Sequence, residues 1–251
     1  MTSEMITIDA PDGTADAYVT RPDDATGSLP GVLFIMDAIG LRPQTKKMAD
    51  RIASWGYVVL APNMFYRGGT AAELEPTADL TDPENRAAVI GRVRPLMAEL
   101  TDDVAAGDLS AYIDALHALG GVNTHPIGIT GYCMGGRLGL LAATTRPDDV
   151  AALGMFHTGG LVTDSSSSPH LRVAEVRADI IAIHADNDHS LPPEAVATFE
   201  RALTTAGVSH SVEVYPDAAH GYTMADTSMY HHEAAERHFD ELQKLFARTL
   251  H

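Results

Sequence analysis

Apolar and polar residues alternate over residues 5–9 and again over 15–20, the period of a strand with one face in water. Between them lies Asp12-Gly13, a pair suited to a tight turn, so the first twenty residues predict an antiparallel hairpin. The pattern then changes. Residues 32–36 are continuously apolar, as in a strand buried on both faces. Residues 43–55 carry Met48, Ile52 and Trp55 at helical spacing, with Gly56 placed to close the helix as its C′ residue. A second apolar strand follows over 57–62, which completes a strand–helix–strand unit. Residues 63–82 read as a loop rich in Gly, Ala and Thr. Helices are predicted over 83–98, 102–119, 135–145, 192–206 and about 228–249, and strands over 127–130, 151–156, 180–184 and 212–215. There is no repeat and no dividing linker; Ser165 to Ser168 reads as a loop. The alternation predicts one α/β domain over residues 1–251 with a mostly parallel central sheet flanked by helices. In such sheets, sites lie at the carboxyl ends of the strands.

Composition narrows the function. The chain has 251 residues, of which 45% are hydrophobic and 20% charged, in the range of folded globular proteins. Its single cysteine excludes an internal disulfide and a Cys-rich zinc module. Acidic residues outnumber basic ones 34 to 17, for a net charge of −17. Such a surface repels phosphate backbones and anionic lipid, so neither nucleic acid nor membrane is the expected partner. The longest clean apolar run, residues 31–36, is far too short to cross a bilayer. The first five residues have neither a basic start nor an apolar stretch, so no signal peptide and a cytoplasmic location are expected. The expected partner is a small molecule, with the protein a monomer or a homodimer.

The sharpest chemical signal is Gly131-Tyr132-Cys133-Met134-Gly135-Gly136, between a predicted strand and a predicted helix. A nucleophile flanked in this way sits on a tight, strained turn, and side chains at the glycine positions would strike the neighbouring strand and helix. The turn lifts the cysteine above the sheet edge, aims the Met134 N–H at the same point, and sets the sulfur at a helix N-terminus. A lone cysteine without that frame reads as a small buried apolar residue. A nucleophile needs a base and the base an orienter, in this fold class in the chain order nucleophile, acid, histidine. Asp186 and Asp188 follow the strand at 180–184, and His220 follows the strand at 212–215. Cys133, Asp188 and His220 thus fall at strand ends in that order.

These residues resemble the dienelactone hydrolases, or carboxymethylenebutenolidases, of the α/β-hydrolase superfamily. The likeness rests on the Gly-x-Cys-x-Gly-Gly elbow, the Asp188-His189 pair, Ala218-Ala219-His220, Trp55-Gly-Tyr-Val-Val-Leu-Ala-Pro62 and Ala106-Gly-Asp-Leu109. It runs nearly end to end. It implies an α/β-hydrolase fold with Cys133 as nucleophile, His220 as base and Asp188 as orienter. It also implies an oxyanion hole from the backbone N–H groups of Ala38 and Met134, and no cofactor or metal. Two positions depart from the family. The acid after the third strand, which in the family contacts the resting thiol, is Asp37 instead of Glu, with roughly 1.5 Å less reach. Met224 stands where the family places an Arg that grips a substrate carboxylate, and the family's second Arg matches Arg86, Arg92 or Arg94 without preference. With Met224 there, neutral esters or lactones are expected to be better substrates than a carboxylate-bearing dienelactone.

Other constellations carry less. Tyr230-His231-His232 with Glu236 and His238 reads as a solvated helix face before a metal site. Arg67 either reaches the pocket as an anion contact or closes a loop, and His157 borders the pocket or packs within a loop. The sequence therefore predicts hydrolysis of an ester or lactone through a thioester acyl-enzyme. The alternatives are a thioesterase or general carboxylesterase at the same triad, or a non-catalytic protein that binds or senses redox state through Cys133.

Overall fold

The structure is a computed structural model and describes residues 1–23, 27–123 and 126–250. In chain order the elements are β1 (Thr2–Ala10), β2 (Gly13–Arg21), β3 (Gly31–Ile35), α1 (Pro43–Ala53), β4 (Val58–Pro62), α2 (Ala71–Leu74), α3 (Pro83–Glu99), α4 (Asp102–Ala118), β5 (Ile127–Tyr132), α5 (Met134–Thr145), β6 (Val150–Phe156), β7 (Asp179–Asn187), α6 (Pro193–Ala206), β8 (His210–Ala219) and α7 (His232–Thr249). Among the described residues the strands form one eight-stranded sheet, ordered β1-β2-β4-β3-β5-β6-β7-β8. The hairpin β1–β2 joins β4 antiparallel, and every pair from β4 to β8 is parallel.

The burial of the strands follows their sequence pattern. β3, β4 and β5 are buried at every residue, as strands covered on both faces; β3 and β4 are apolar runs, while β5 intersperses Gly128, Thr130 and Gly131. β1 alternates and is mostly exposed, in keeping with an edge. On one face α1 and α7 lie together: Trp55 packs edge-on to Phe239, and Tyr57 edge-on to Phe246. α4 and α5 pack against each other over β3, β5 and β6.

Three differences from the predicted elements have physical causes. The α1 C-cap is Ser54, one residue earlier than Gly56 implied; Gly56 still takes the left-handed turn, at φ +104°, while its N–H donates to Ala53 O. The segment 63–82 contains the short helix α2, capped by Thr70 with Glu73 as its reciprocal partner, a local signal that hydrophobic periodicity does not register. Most consequential, β7 and β8 run past the predicted ends at 184 and 215 to Asn187 and Ala219, which pair with each other. Polar residues at a sheet's rim read as turns but still have backbone groups to satisfy. The extension delivers the next residues, Asp188 and His220, side by side.

Candidate active site

Cys133 follows the last residue of β5 and is the N-cap of α5. It holds φ +54°, ψ −115°, a costly region for a residue with a Cβ, and its N–H donates to Phe156 O at 3.0 Å. The glycines around it are sterically required. A Cβ on Gly131 would lie 2.1 Å from Gly135 O, and one on Gly135 would lie 2.3 Å from Ile35 O. The elbow is thus pressed against both β3 and its own helix, and the half-buried sulfur stands above the sheet.

The three residues named from the sequence come together there. The Cys133 thiol hydrogen-bonds His220. His220 Nδ1 donates to Asp188 Oδ2 at 2.7 Å. The other carboxylate oxygen, Oδ1, accepts the Ser190 N–H at 2.8 Å and the Ser190 hydroxyl at 2.6 Å, and that hydroxyl lies 3.0 Å from His220 Nδ1. Burial works against a charge on His220, but the bonds to Asp188 and Cys133 outweigh it and push its pKa up to about 10. Burial works against ionised Asp188 too, and His220 and Ser190 hold it down at about 2. Ser190 was not singled out in the sequence. Its signal was local: an Asp followed two residues later by Ser is the pattern of an Asx turn, in which the carboxylate takes the later N–H. His189, its neighbour in the Asp188-His189 pair, is exposed.

Ala38 lies in the loop after β3 and Met134 is the first residue of α5, where an N–H has no partner within the helix. Both residues line voids that reach Cys133. Two such voids are formed by the described residues. One, of about 60 Å³, is walled by Asp37, Ala38, Arg86, His157 and Met224; the other, of about 330 Å³, by Met97, Leu100, Met134 and Leu138.

Asp37 differs from its expected role. Its carboxylate is engaged not with the thiol but with Arg42, at 2.6 Å and 3.2 Å, and with the Ile39 N–H at 3.1 Å. Arg42 is buried and also holds Asp226, at 2.6 Å and 3.1 Å, from the loop after His220. Burial opposes its charge, yet Asp37 and Asp226 raise its pKa above the ordinary value. Short Asp37 thus fits as one end of a buried brace between two loops. The spacing of Asp37, Arg42 and Asp226 gave no hint of it, because the two acids are far apart in the chain.

The arginines separate cleanly. Arg86, on α3, lines the small cavity, and its buried Nε has no hydrogen-bond partner among the described residues. Arg92 donates to Leu74 O and Arg94 is exposed. Arg67 closes a loop: it pairs with Asp12 and, at 2.6 Å, with buried Asp108. Met224 is buried in the cavity wall. His157 is fully buried at φ +39°, its Nε2 lies 2.8 Å from Thr223 Oγ1, and its ring meets His220 edge-on at 5.2 Å. Burial, then the neighbouring His220, pushes its pKa well down, so it is neutral. On α7 the face expected to be solvated is so only in part: Glu236 pairs with Arg51 and the His231 side chain caps the helix, but His238 is fully buried against Tyr132, because it lies on the side of the helix turned to the core. Among the described residues no three His, Cys, Asp or Glu side chains converge as a metal site.

A doubly wound sheet of this strand order, a strained cysteine elbow after its central strand, and a histidine and acid at the next strand ends define an α/β-hydrolase. The chain matches the dienelactone hydrolase family over residues 15–250, and it belongs to that family of ester and lactone hydrolases. It is 29% identical over 236 residues to a Salmonella typhi protein provisionally named carboxymethylenebutenolidase, covering 92% of this chain and 82% of the relative. It is 26% identical over 227 residues to the carboxymethylenebutenolidase of Rhodococcus opacus, covering 90% and 83%. Among solved structures, a dienelactone hydrolase, so described provisionally, from Klebsiella pneumoniae superposes with a TM-score of 0.82 at 25% identity, over 98% of each chain.

Proposed function

We propose that the protein hydrolyses an ester or lactone through a thioester formed on Cys133. The observation that carries this reading is the elbow cysteine hydrogen-bonded to a histidine that Asp188 holds from behind. The thiol proton passes to His220, and the sulfur attacks the substrate carbonyl carbon. The carbonyl π electrons move to oxygen, and the oxyanion lies between the backbone N–H groups of Ala38 and Met134. As the tetrahedral intermediate collapses, the C–O bond to the alkoxide breaks and His220 gives its proton to that oxygen. In a lactone the alkoxide remains tethered to the acyl group. Water then attacks the thioester with His220 taking its proton, and the thiol leaves as the acid forms. Asp188, below its usual pKa and fixed by Ser190, keeps the imidazole oriented and balances its charge.

Arg86 gives the small cavity a cation whose buried Nε has no hydrogen-bond partner among the described residues. We infer that it receives a carboxylate or another anionic group of the substrate, so the charge that Met224 lacks comes from α3. This supports acid-bearing substrates where the Met224 position alone pointed to neutral ones. The test is a panel of lactones, aryl esters and thioesters run on wild type and Cys133→Ala. The variant should stay folded and lose several orders of magnitude in rate on every substrate that wild type turns over. Undiminished turnover in Cys133→Ala would rule the mechanism out. The best thioester exceeding every ester would make the protein a thioesterase at the same site.

A further inference from the structure

We infer that the substrate carries, on the side of the scissile carbonyl away from Arg86, an apolar arm of about ten heavy atoms that fills the crevice of Met97, Leu100, Met134 and Leu138. The inference rests on the hydrolase reading above and adds the substrate's shape to it.

The two voids at the site share only Cys133 and His220. A carbonyl attacked by Cys133 has two substituents, and each void can take one. The small cavity differs in holding a cation, Arg86, whose buried Nε has no partner among the described residues; neutral His157 and the apolar Ile39, Ile90 and Met224 complete its wall. The large one is apolar in its walls and electrically quiet. Its cation, Arg137, is paired with Asp102 at 2.5 Å, and the Ser190 hydroxyl is committed to Asp188. Its volume of about 330 Å³ is room for about ten water-sized groups, a methylene being of similar size. A compact lactone seated against Arg86 leaves that space empty.

α3 spans both. Arg86, Ile90, Val93 and Met97 recur at intervals of four, three and four residues, so they form one stripe, which continues to the C-cap Leu100. Arg86 and Ile90 wall the small cavity, and Met97 and Leu100 wall the crevice. From Arg86 to Met97 the helix rises about 16 Å. One helical face therefore meets an anionic end, the reacting carbonyl and an apolar end in sequence. That arrangement fits an amphiphilic ester, with an alkyl or aryl arm opposite its charged group, better than a molecule of uniform polarity.

The test uses two series of esters, one lengthened in the acyl part and one in the alcohol part, assayed on wild type, Met97→Trp and Met97→Asp. In one of the two series kcat/KM should climb about four-fold per added methylene, the gain of burying each one, and level off near eight to ten carbons. Met97→Trp should stop the climb several carbons earlier. Met97→Asp should flatten it, cutting the long-to-short ratio at least ten-fold. Short esters turned over by wild type with no climb in either series would overturn the proposal and leave the hydrolase reading standing. A climb that both variants leave unaltered would also overturn it. No hydrolysis of any ester would overturn the reading on which it rests, and the proposal with it.

Discussion

Arg86 reaches the cavity from a helix that lies outside the sheet, while Met224 fills its wall from the loop after His220. A guanidinium whose Nε is buried without a partner gains by pairing, because the cost of removing it from water has already been met. For a matched acid and methyl ester, Arg86→Met should cut the acid-to-ester ratio of kcat/KM about ten- to hundred-fold, the worth of one charge-assisted contact of about 1.5–3 kcal/mol. The drop should persist at high salt, because a pair inside a cavity is little screened. An unaltered ratio would place the anion elsewhere. At this scale the sequence was informative where chemistry and backbone coincide. Gly131, Cys133 and Gly135 are legible because only one local geometry accommodates them. Asp188 and His220 are legible because they follow strands. Ser190 and Arg42 were not, since each acts through a partner that folding alone brings near.

Two loops border the small cavity, one after β3 with Asp37, Ala38 and Ile39, the other after β8 with Gly221, Met224 and Thr227. Arg42 at the N-cap of α1 links them, through Asp37 on one side and Asp226 on the other, and its Nη1 also donates to Gly40 O. Removing the cation leaves Asp37 buried with no countercharge, so Arg42→Ala should lower stability by about 3–5 kcal/mol. Urea unfolding would register it, and Arg42→Lys should restore part of the loss. A loss under about 1 kcal/mol in Arg42→Ala would mean that the two loops hold their places without the brace. The elements themselves were largely readable from hydrophobic period. Their ends were not: β7 and β8 continue into polar residues, where the ladder, and not the side chains, decides. α3 was read as a helix, but the period of Ile90, Val93, Met97 and Leu100 does not distinguish a cavity wall from core packing, and charged Arg86 at its end reads as solvent-facing.

The whole molecule carries buried neutral histidines whose ionisation the fold resists. Burial lowers His184 to about 4 and His238 to about 3, and both ring nitrogens of His184 lack hydrogen-bond partners among the described residues. In the unfolded chain these groups titrate near 6.5. Below that pH the unfolded state binds protons that the folded state refuses. Their stabilisation is therefore complete above pH 6.5 and is lost as pH falls toward the folded values. The loss is on the order of 3 to 5 kcal/mol for each. Urea midpoints should drop steeply between pH 7 and pH 4, and His238→Phe should flatten the decline. A midpoint constant over that range would contradict it. Among the described residues, no helix is long and apolar enough to cross a membrane. The fold was legible at this scale from the alternation of strand and helix, and the active-site class from the order Cys133, Asp188, His220. The division of the site into a small cavity holding Arg86 and a larger apolar crevice was not, because α3 contributes to both walls only once the chain is folded.

The chemistry proposed for the site is covalent, with the acyl group carried on Cys133. Wild-type protein mixed with an activated ester and quenched in acid within the first turnover should gain the mass of the acyl group, and peptide mapping should place it on Cys133, with no adduct in Cys133→Ala. Turnover with no adduct on Cys133 at any quench time, together with an active Cys133→Ala, would contradict the account.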